Sequence, residues 1–478
     1  MVLVGGLLFY AILARWFGVD GVGAAALVKR GAGILAPIVF LGLQTGLPRM
    51  MPLASRDPGL LSGYFVAGAA LLAGALLLAV LPLIMLPTVS ASILLGNSHF
   101  GYLEVATTVT LASLVAYGMV RGMLFGLLRI PVASVLQVLG VGVAPILAIL
   151  LWHPSVTGAM TAAGAATIVV ALAGAPPFLG PAMRGLKHIA FDRGARGLLA
   201  YSVPRMPGDV AMATLISIGT LWAARFADLR TTGYLSVSQS LLSAITAAFV
   251  PLSVVLLPRA AALIASGRRD TISSRIAELA SLTVLGSTFV AVQGAVFAGT
   301  LLFWWLGPSF TSGAGILQLT LLGVPFLALF FSLRGLVDAI TSRPYHTYNL
   351  FIALAIGVAG FVLTMGLLPR SWTAYGIAAS SSASLLVLAI LTVRVTSRLY
   401  EAPFTPRLFL SPMLRNAAAG AVALAVHHYV VRGTDLAGLV EIAILELALA
   451  TATFFPVLAV IRSNGDILRG GPGTEVRR

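Results

Sequence analysis

The sequence predicts an all-α integral membrane protein with 14 transmembrane helices. They form two six-helix lobes about a pseudo-two-fold axis along the membrane normal, with a further helix pair at the C-terminus. Three observations predict it. Apolar residues make up 59% of the 478 and charged residues 9%, and mean hydropathy is +1.01, far outside the soluble range. Apolar stretches of about 20 residues recur along the chain, each able to cross a hydrocarbon core of about 30 Å as a helix. Short motifs also return at a nearly constant offset. Backbone amides find no partner in lipid, so each span must satisfy its own as a helix, and no alternating barrel-strand pattern is present.

The first span, Met1 to Ala14, stops at Arg15. The second, Val22 to Gly46, contains Pro37 and stops before Pro48-Arg49, and the third, Leu60 to Leu86, lies between Pro58 and Pro87. Tyr102 to Val120 ends at Arg121, Val132 to Trp152 lies between Pro131 and Pro154, and Gly158 to Leu179 completes the first six. The basic stretch MRGLKHIAFDRGARG then separates these from Val203 to Ala224 and Gly233 to Leu257. Ile276 to Phe303 follows Arg275, and Ile316 to Ser332 ends before Arg334. Tyr348 to Leu368 stops at Pro369, and Ala374 to Val393 at Arg394. The last pair is Met413 to Val431 and Leu436 to Ile461. The domain limits are therefore a first lobe at 1–180, a linker at 181–202, a second lobe at 203–397, a helix pair at 398–462 and a tail at 463–478.

Basic residues test this map, because they stay in cytoplasmic loops. With the amino terminus inside, alternate loops on the outer side hold only Arg15, Arg225, Arg230, Arg370 and Arg432 of the 30 basic residues. Lys29, Arg30 and Arg205 fall at membrane depth, and the rest lie inside, so both termini are expected in the cytoplasm of a cell membrane protein. The first span is short; a start codon assigned late or a fragment would explain it. A signal peptide is not expected, because no positive n-region is present.

The net charge of +15 does not indicate nucleic acid, since the basic residues stand singly between apolar spans without interleaved aromatics. No cysteine occurs, which removes disulfides, thiolate metal sites and cysteine nucleophiles. Neither of the two lysines, Lys29 and Lys187, follows a phosphate-binding glycine run. The histidines are dispersed and no triad or metal spacing exists, so neither catalysis, a metal nor a cofactor is expected.

Leu47-Pro48-Arg49 returns as Leu257-Pro258-Arg259, Ala14-Arg15 as Ala224-Arg225 and Gly23 as Gly233, all at an offset of 210. Leu95-Gly96 returns as Leu306-Gly307 at 211, and Arg121-Gly122 as Arg334-Gly335 at 213. An ordered series of this kind is the trace of an internal duplication. Six spans per copy is an even number, so both copies enter the membrane in the same direction and enclose a central cleft.

ARWFGVDGVGAAALVKRGAGILAPIVFLGLQTGLPR, RGMLFGLLRI, LLAYSVPRMPGD, LGPSFTSGAGILQLTLLGVP and YGIAASSSASLLV together resemble the MOP superfamily of exporters. Within it they resemble the polysaccharide branch of Wzx-like lipid-linked oligosaccharide flippases. The resemblance covers nearly the whole chain, although the abbreviated first span departs from the family pattern. It implies a non-enzymatic, alternating-access transporter whose partners are a lipid-linked saccharide, membrane lipid and downstream polymerase or ligase machinery. A monomer is expected.

Charge at membrane depth costs about 2.5 to 3.5 kcal/mol per residue on insertion, so it normally faces a wet cavity or a partner. Lys29 and Arg30 meet that description, and their repeat equivalents are Gln239 and Ser240. One reading makes the four opposing walls of a substrate cleft that holds an anionic pyrophosphate. The other has one cation snorkel to the interface while its neighbour pairs structurally. Arg205 is read as an inner-cavity cation between Pro204 and Pro207, with Asp209 on its face. Arg334 and Asp338 are read as a structural pair in the loop after the tenth span. Arg49 and Arg259 mark the cleft entrance or favour helix C-termini and anionic lipid. Pro37 and Pro251 are candidate hinges or static kinks. His427 and His428 face Glu441 and Glu446 as a contact of the last hairpin or a proton switch.

These residues leave several functions open. A flippase moving a polyprenyl-(pyro)phosphate-linked oligosaccharide to the outer leaflet accounts for the cations. A flippase for the peptidoglycan lipid precursor has the same demands. A cation-coupled multidrug exporter needs a buried acid in the first lobe, where the spans offer only Glu104. A glycosyltransferase or polymerase would need a large extracellular loop with acidic residues, which the chain lacks.

Overall fold

The first helix, α1 (Val2–Phe40), is interrupted only at Gly18, whose φ of 63° and ψ of −164° suit a residue without a Cβ. There the chain folds back, so that Lys29 in the second arm lies over the rings of Phe9 and Tyr10 in the first. The outer loop that hydropathy leaves between the first two spans is thus reduced to one glycine. The computed structural model describes residues 2–54, 56–176, 180, 189–250, 269–341, 343–402, 404–429 and 436–463. Those residues form helices, turns and short connections, with no strand among them.

The second arm runs through Pro37 and breaks at Leu41 and Gly42, both left-handed, before α2 (Leu43–Leu53). Pro37 has no N–H to donate to the preceding turn, and the regular helix ends at Phe40. Pro251, the second candidate hinge, and Arg259 lie outside the described residues.

After α2 come α3 (Pro58–Met85), α4 (Pro87–Leu94), α5 (Glu104–Gly126), α6 (Ile130–Gln137), α7 (Ala144–Leu151) and α8 (Val156–Ala173). Asp57 caps α3 by accepting from the Leu60 N–H at 3.0 Å, and Ser155 caps α8 from Gly158 at 3.1 Å. Between α6 and α7 the chain takes one π turn, Val138–Val143, whose Gly142 packs against Gly5 of α1.

A linker helix, α9 (Phe191–Ser202), passes through a 3-10 turn, Val203–Arg205, into α10 (Met206–Phe226). Then come α11 (Leu229–Ala247), α12 (Arg269–Val296), α13 (Ala298–Leu306), α14 (Ala314–Leu321) and α15 (Val324–Ile340). The chain ends with α16 (Tyr345–Leu367), α17 (Thr373–Tyr400), α18 (Pro406–Tyr429) and α19 (Leu436–Ser463). Arg334 and Asp338 lie inside α15, not in a loop after the tenth span, because the helix continues past Ser332 as far as Ile340.

Nine helices among the described residues are long and apolar enough to cross a membrane. The bent pair Pro308–Leu321 and Val324–Asp338, meeting at 43°, would raise this to ten. The first of the nine, Leu3–Leu53, carries both of the first two expected spans. Helices α10, α11 and α19 lie where the seventh, eighth and fourteenth are expected. Large apolar side chains such as Leu77, Leu78, Leu151, Leu363 and Leu447 point outward, as a lipid solvent requires.

One buried cluster crosses the molecule, joining Leu13, Leu27 and Val28 of α1 to Leu215, Leu317 and Phe330. A second holds α2, α3 and α5 together through Leu47, Leu72 and Met123. At the first turns of α1's second arm and of α11 the contact is reciprocal. A Cβ on Gly23 would strike the Leu229 carbonyl oxygen, and one on Gly233 would strike that of Val19. Val19 and Leu229 are themselves 210 residues apart, so the contact is isologous, as between copies about a two-fold axis.

Candidate functional site

Lys29 and Arg30 follow one another on the second arm of α1, about 100° apart around the helix, and both are half-buried. The Lys29 ammonium lies 4.7 Å from the centre of the Tyr10 ring and 4.9 Å from that of Phe9. A cation held over two aromatic faces recovers part of its lost hydration. The Tyr10 hydroxyl shares a 3.5 Å hydrogen bond with Ser236 of α11, has Ser240 within reach and lies in the field of Lys29 and Arg30. Among the described residues neither cation has a carboxylate at ion-pair distance.

Lys29, Arg30 and Ser240 therefore gather around Tyr10, whereas Gln239 does not join them. Its side chain lines a small, mostly apolar cavity with Leu215, Leu242, Leu327 and Leu385, where Thr320, Ser381 and Ser382 are the other polar groups. The reason is helical phase. Ser236 and Ser240 are four residues apart and share a face, while Gln239 is turned about 100° away. The wall facing the cations is thus Ser236 and Ser240. Phe9, Tyr10 and Ser236 were not singled out in the sequence; the adjacent aromatic pair in an otherwise aliphatic first span was the signal for the first two.

At the junction of α9 and α10, Arg49 and Arg205 meet on one ring, that of Tyr201. Arg49 donates from Nη1 to the Tyr201 hydroxyl at 3.2 Å, with its guanidinium carbon 4.8 Å from the ring centre. Arg205 lies 3.9 Å from the same centre and donates from Nη1 to the Tyr201 carbonyl at 2.7 Å. Arg205 is exposed at the mouth, not enclosed in an inner cavity, because the 3-10 turn at Val203–Arg205 directs it back along α9. Its expected partner Asp209 contacts Arg334 at 4.0 Å instead. Arg334 also pairs with Asp338 at 3.9 Å, and the His346 Nε2 lies 3.0 Å from the Arg334 carbonyl oxygen and 3.5 Å from Asp338. This network ties α10, α15 and α16 together.

The side chains of His427 and His428 lie outside the described residues. No group of three or more histidines and carboxylates able to hold a metal occurs among the described residues. Glu104, at the start of α5, is 1% exposed, and neither of its carboxylate oxygens receives a hydrogen bond.

No protein-family model matches the chain, and no curated protein sequence does. Solved structures do. The lipid II flippase MurJ in an inward closed conformation superposes with a TM-score of 0.75 at 12% identity, over 96% of this chain and 98% of the other. An inward-facing multidrug resistance MATE transporter of the MOP superfamily gives 0.65 at 13% identity, over 87% of this chain and 94% of its own. A MATE transporter in complex with MaD3S gives 0.56 at 14%. The chain thus shares the fold of these solved structures.

Proposed function

We propose that the protein is a flippase that carries a polyprenyl-(pyro)phosphate-linked oligosaccharide from the cytoplasmic to the outer leaflet by alternating access. The observation that carries this reading is the pair of half-buried cations, Lys29 and Arg30, without carboxylate partners among the described residues, beside the hydroxyls of Tyr10, Ser236 and Ser240. Phosphate oxygens satisfy both needs, since they neutralise the charge and accept from the hydroxyls. Sugar hydroxyls extend the same polar wall, and the polyprenyl tail stays in lipid.

In this reading the protein is a monomer in the cell membrane with both termini in the cytoplasm. Its two lobes, related by an axis along the membrane normal, rock against each other to open one side at a time, and it hands its product to polysaccharide polymerase or ligase machinery. Energy comes from an ion gradient, the membrane potential or removal of product outside. The fold shared with a lipid II flippase favours a second reading, in which the cargo is a peptidoglycan lipid precursor.

The test is depletion of the protein followed by leaflet-resolved analysis of polyprenyl-linked sugars. Inner-leaflet accumulation of an oligosaccharide lipid is the expected result, and accumulation of the peptidoglycan precursor would select the second reading. Unchanged lipids with altered drug efflux would overturn both. Lys29→Gln combined with Arg30→Gln is expected to abolish translocation in a folded protein.

A further inference from the structure

We propose that Arg49, Tyr201 and Arg205 form a phosphate-binding clamp on the hinge between the linker helix and the second lobe, separate from the Lys29 and Arg30 cleft. That the phosphate arrives on a lipid-linked sugar rests on the flippase reading; the clamp itself rests on geometry.

Tyr201 is in the last turn of α9, and α9 is fixed to the first lobe. Leu198 and Ser202 are fully buried, the Ala190 N–H donates to the Gly59 carbonyl at 3.2 Å, and Gly46 and Gly63 let the helix lie close against α2 and α3. Arg49 comes from α2, on that same lobe. Arg205 does not, because it opens α10 of the second lobe, beyond a turn in which Pro204 and Pro207 supply no N–H to hold the helix. The contact between Arg205 and Tyr201 therefore spans the joint at which one lobe would move relative to the other.

The two guanidinium carbons lie within 5 Å of one ring centre and so within 10 Å of each other. Each guanidinium carries five donors, and the structure gives each one hydrogen bond to Tyr201 through a single nitrogen. Stacking on a ring leaves the planar edge of an arginine free, the edge that matches phosphate oxygens. One phosphate accepting at about 2.8 Å from each arginine can bridge them.

Among the described residues neither arginine has a carboxylate at ion-pair distance. Asp209, the acid one turn beyond Arg205, is engaged by Arg334, and Asp192 is at the opposite end of α9. Arg193 and Arg196 lie exposed on α9 and add to the positive field facing the leaflet. The ligand is a phosphate mono- or diester, whether free or on a lipid headgroup. Its binding joins Arg49 of the first lobe to Arg205 of the second and so fixes the angle of the turn.

The experiment uses the full chain in phosphatidylcholine nanodiscs and titrates inorganic pyrophosphate by calorimetry. With the cleft removed by Lys29→Gln and Arg30→Gln, binding is expected to persist. Adding Arg49→Gln and Arg205→Gln is expected to weaken it by about tenfold or more, and Arg49→Lys with Arg205→Lys to recover part of the loss. Tyr201→Leu should weaken it similarly, whereas Tyr201→Phe keeps the stacking ring and remains within about threefold. Substituting phosphatidate into the nanodisc separates the two sources. Competition that vanishes in Arg49→Gln/Arg205→Gln identifies a lipid headgroup, and its absence identifies a soluble phosphate. Unchanged affinity in Arg49→Gln/Arg205→Gln, or loss of all binding with the cleft alone removed, would overturn the clamp. Transport is not the readout, so the clamp can fail while the flippase reading stands.

Discussion

The backbone nitrogen of Gly233 lies 3.2 Å from the place a Cβ on Gly23 would occupy, and Gly233 in turn leaves no room for a Cβ beside Val19. Two glycines from matching positions of the duplicated sequence thus close the helices α1 and α11 on each other at their first turns.

A side chain at either glycine is expected to hold these ends apart. Because the protein has no cysteine, a single Ser236→Cys probe reports on the space behind them. Gly23→Leu or Gly233→Leu should raise labelling of that cysteine by a membrane-impermeant reagent from the outer side severalfold. Labelling at the parent rate would show that this contact does not close the cleft.

Gln239 and Ser240 are adjacent in sequence and should part in their effects. Gln239→Ala opens space in the small cavity between α10, α11, α14, α15 and α17 and should cost roughly 1–3 kcal/mol of stability, seen as a lower Tm in detergent. Translocation per folded molecule should be preserved. Ser240→Ala, at a half-buried position, should leave Tm nearly unchanged and slow translocation. The opposite pattern would place Gln239 on the cleft.

Glu104 is enclosed, and among the described residues neither of its oxygens has a partner at hydrogen-bonding geometry; the Ser90 hydroxyl donates instead to the Leu86 and Pro87 carbonyls. Removing a buried group that lacks a partner is stabilising, so Glu104→Met should raise the unfolding free energy by about 1–3 kcal/mol. A fall in Tm would mean that the carboxylate is paired, and would strengthen the cation-coupled exporter reading.

Asn416 of α18 is fully buried and donates from Nδ2 to the Leu285 carbonyl at 2.9 Å, while Gly420 one turn later packs on Val292. These contacts fasten α18 to α12. Asn416→Leu should lose about 0.6–1.7 kcal/mol, the range for hydrogen bonds between membrane helices. Hydrogen exchange should rise in 406–429 and remain as in the parent in α1–α8. Faster exchange throughout would indicate global unfolding instead.

The position of Lys29 and Arg30 inside an apolar span was legible because charged residues stand out in hydropathy whatever surrounds them. Tyr10, Ser236 and Tyr201 were not, since tyrosines and serines within spans carry no such cost and signal nothing until a partner is seen. Arg334 and Asp338 show the same limit from the other side. Their i, i+4 spacing suggested a pair, but only packing brought Asp209 and His346 to it.

What the sequence alone determined was the helical membrane character, the placing of two cations inside an apolar span and the recurrence of short motifs such as Gly23 and Gly233 at one offset, because transfer energy and spacing are properties of a one-dimensional string. What the tertiary structure decided was azimuth. Rotation of α11 turned Gln239 away from Ser240, and the turn at Val203–Arg205 brought Arg205 onto the ring already held by Arg49. A helix's rotation about its own axis is set by the packing of its neighbours, and apolar spans with scattered small residues leave many rotations equal until those neighbours are in place.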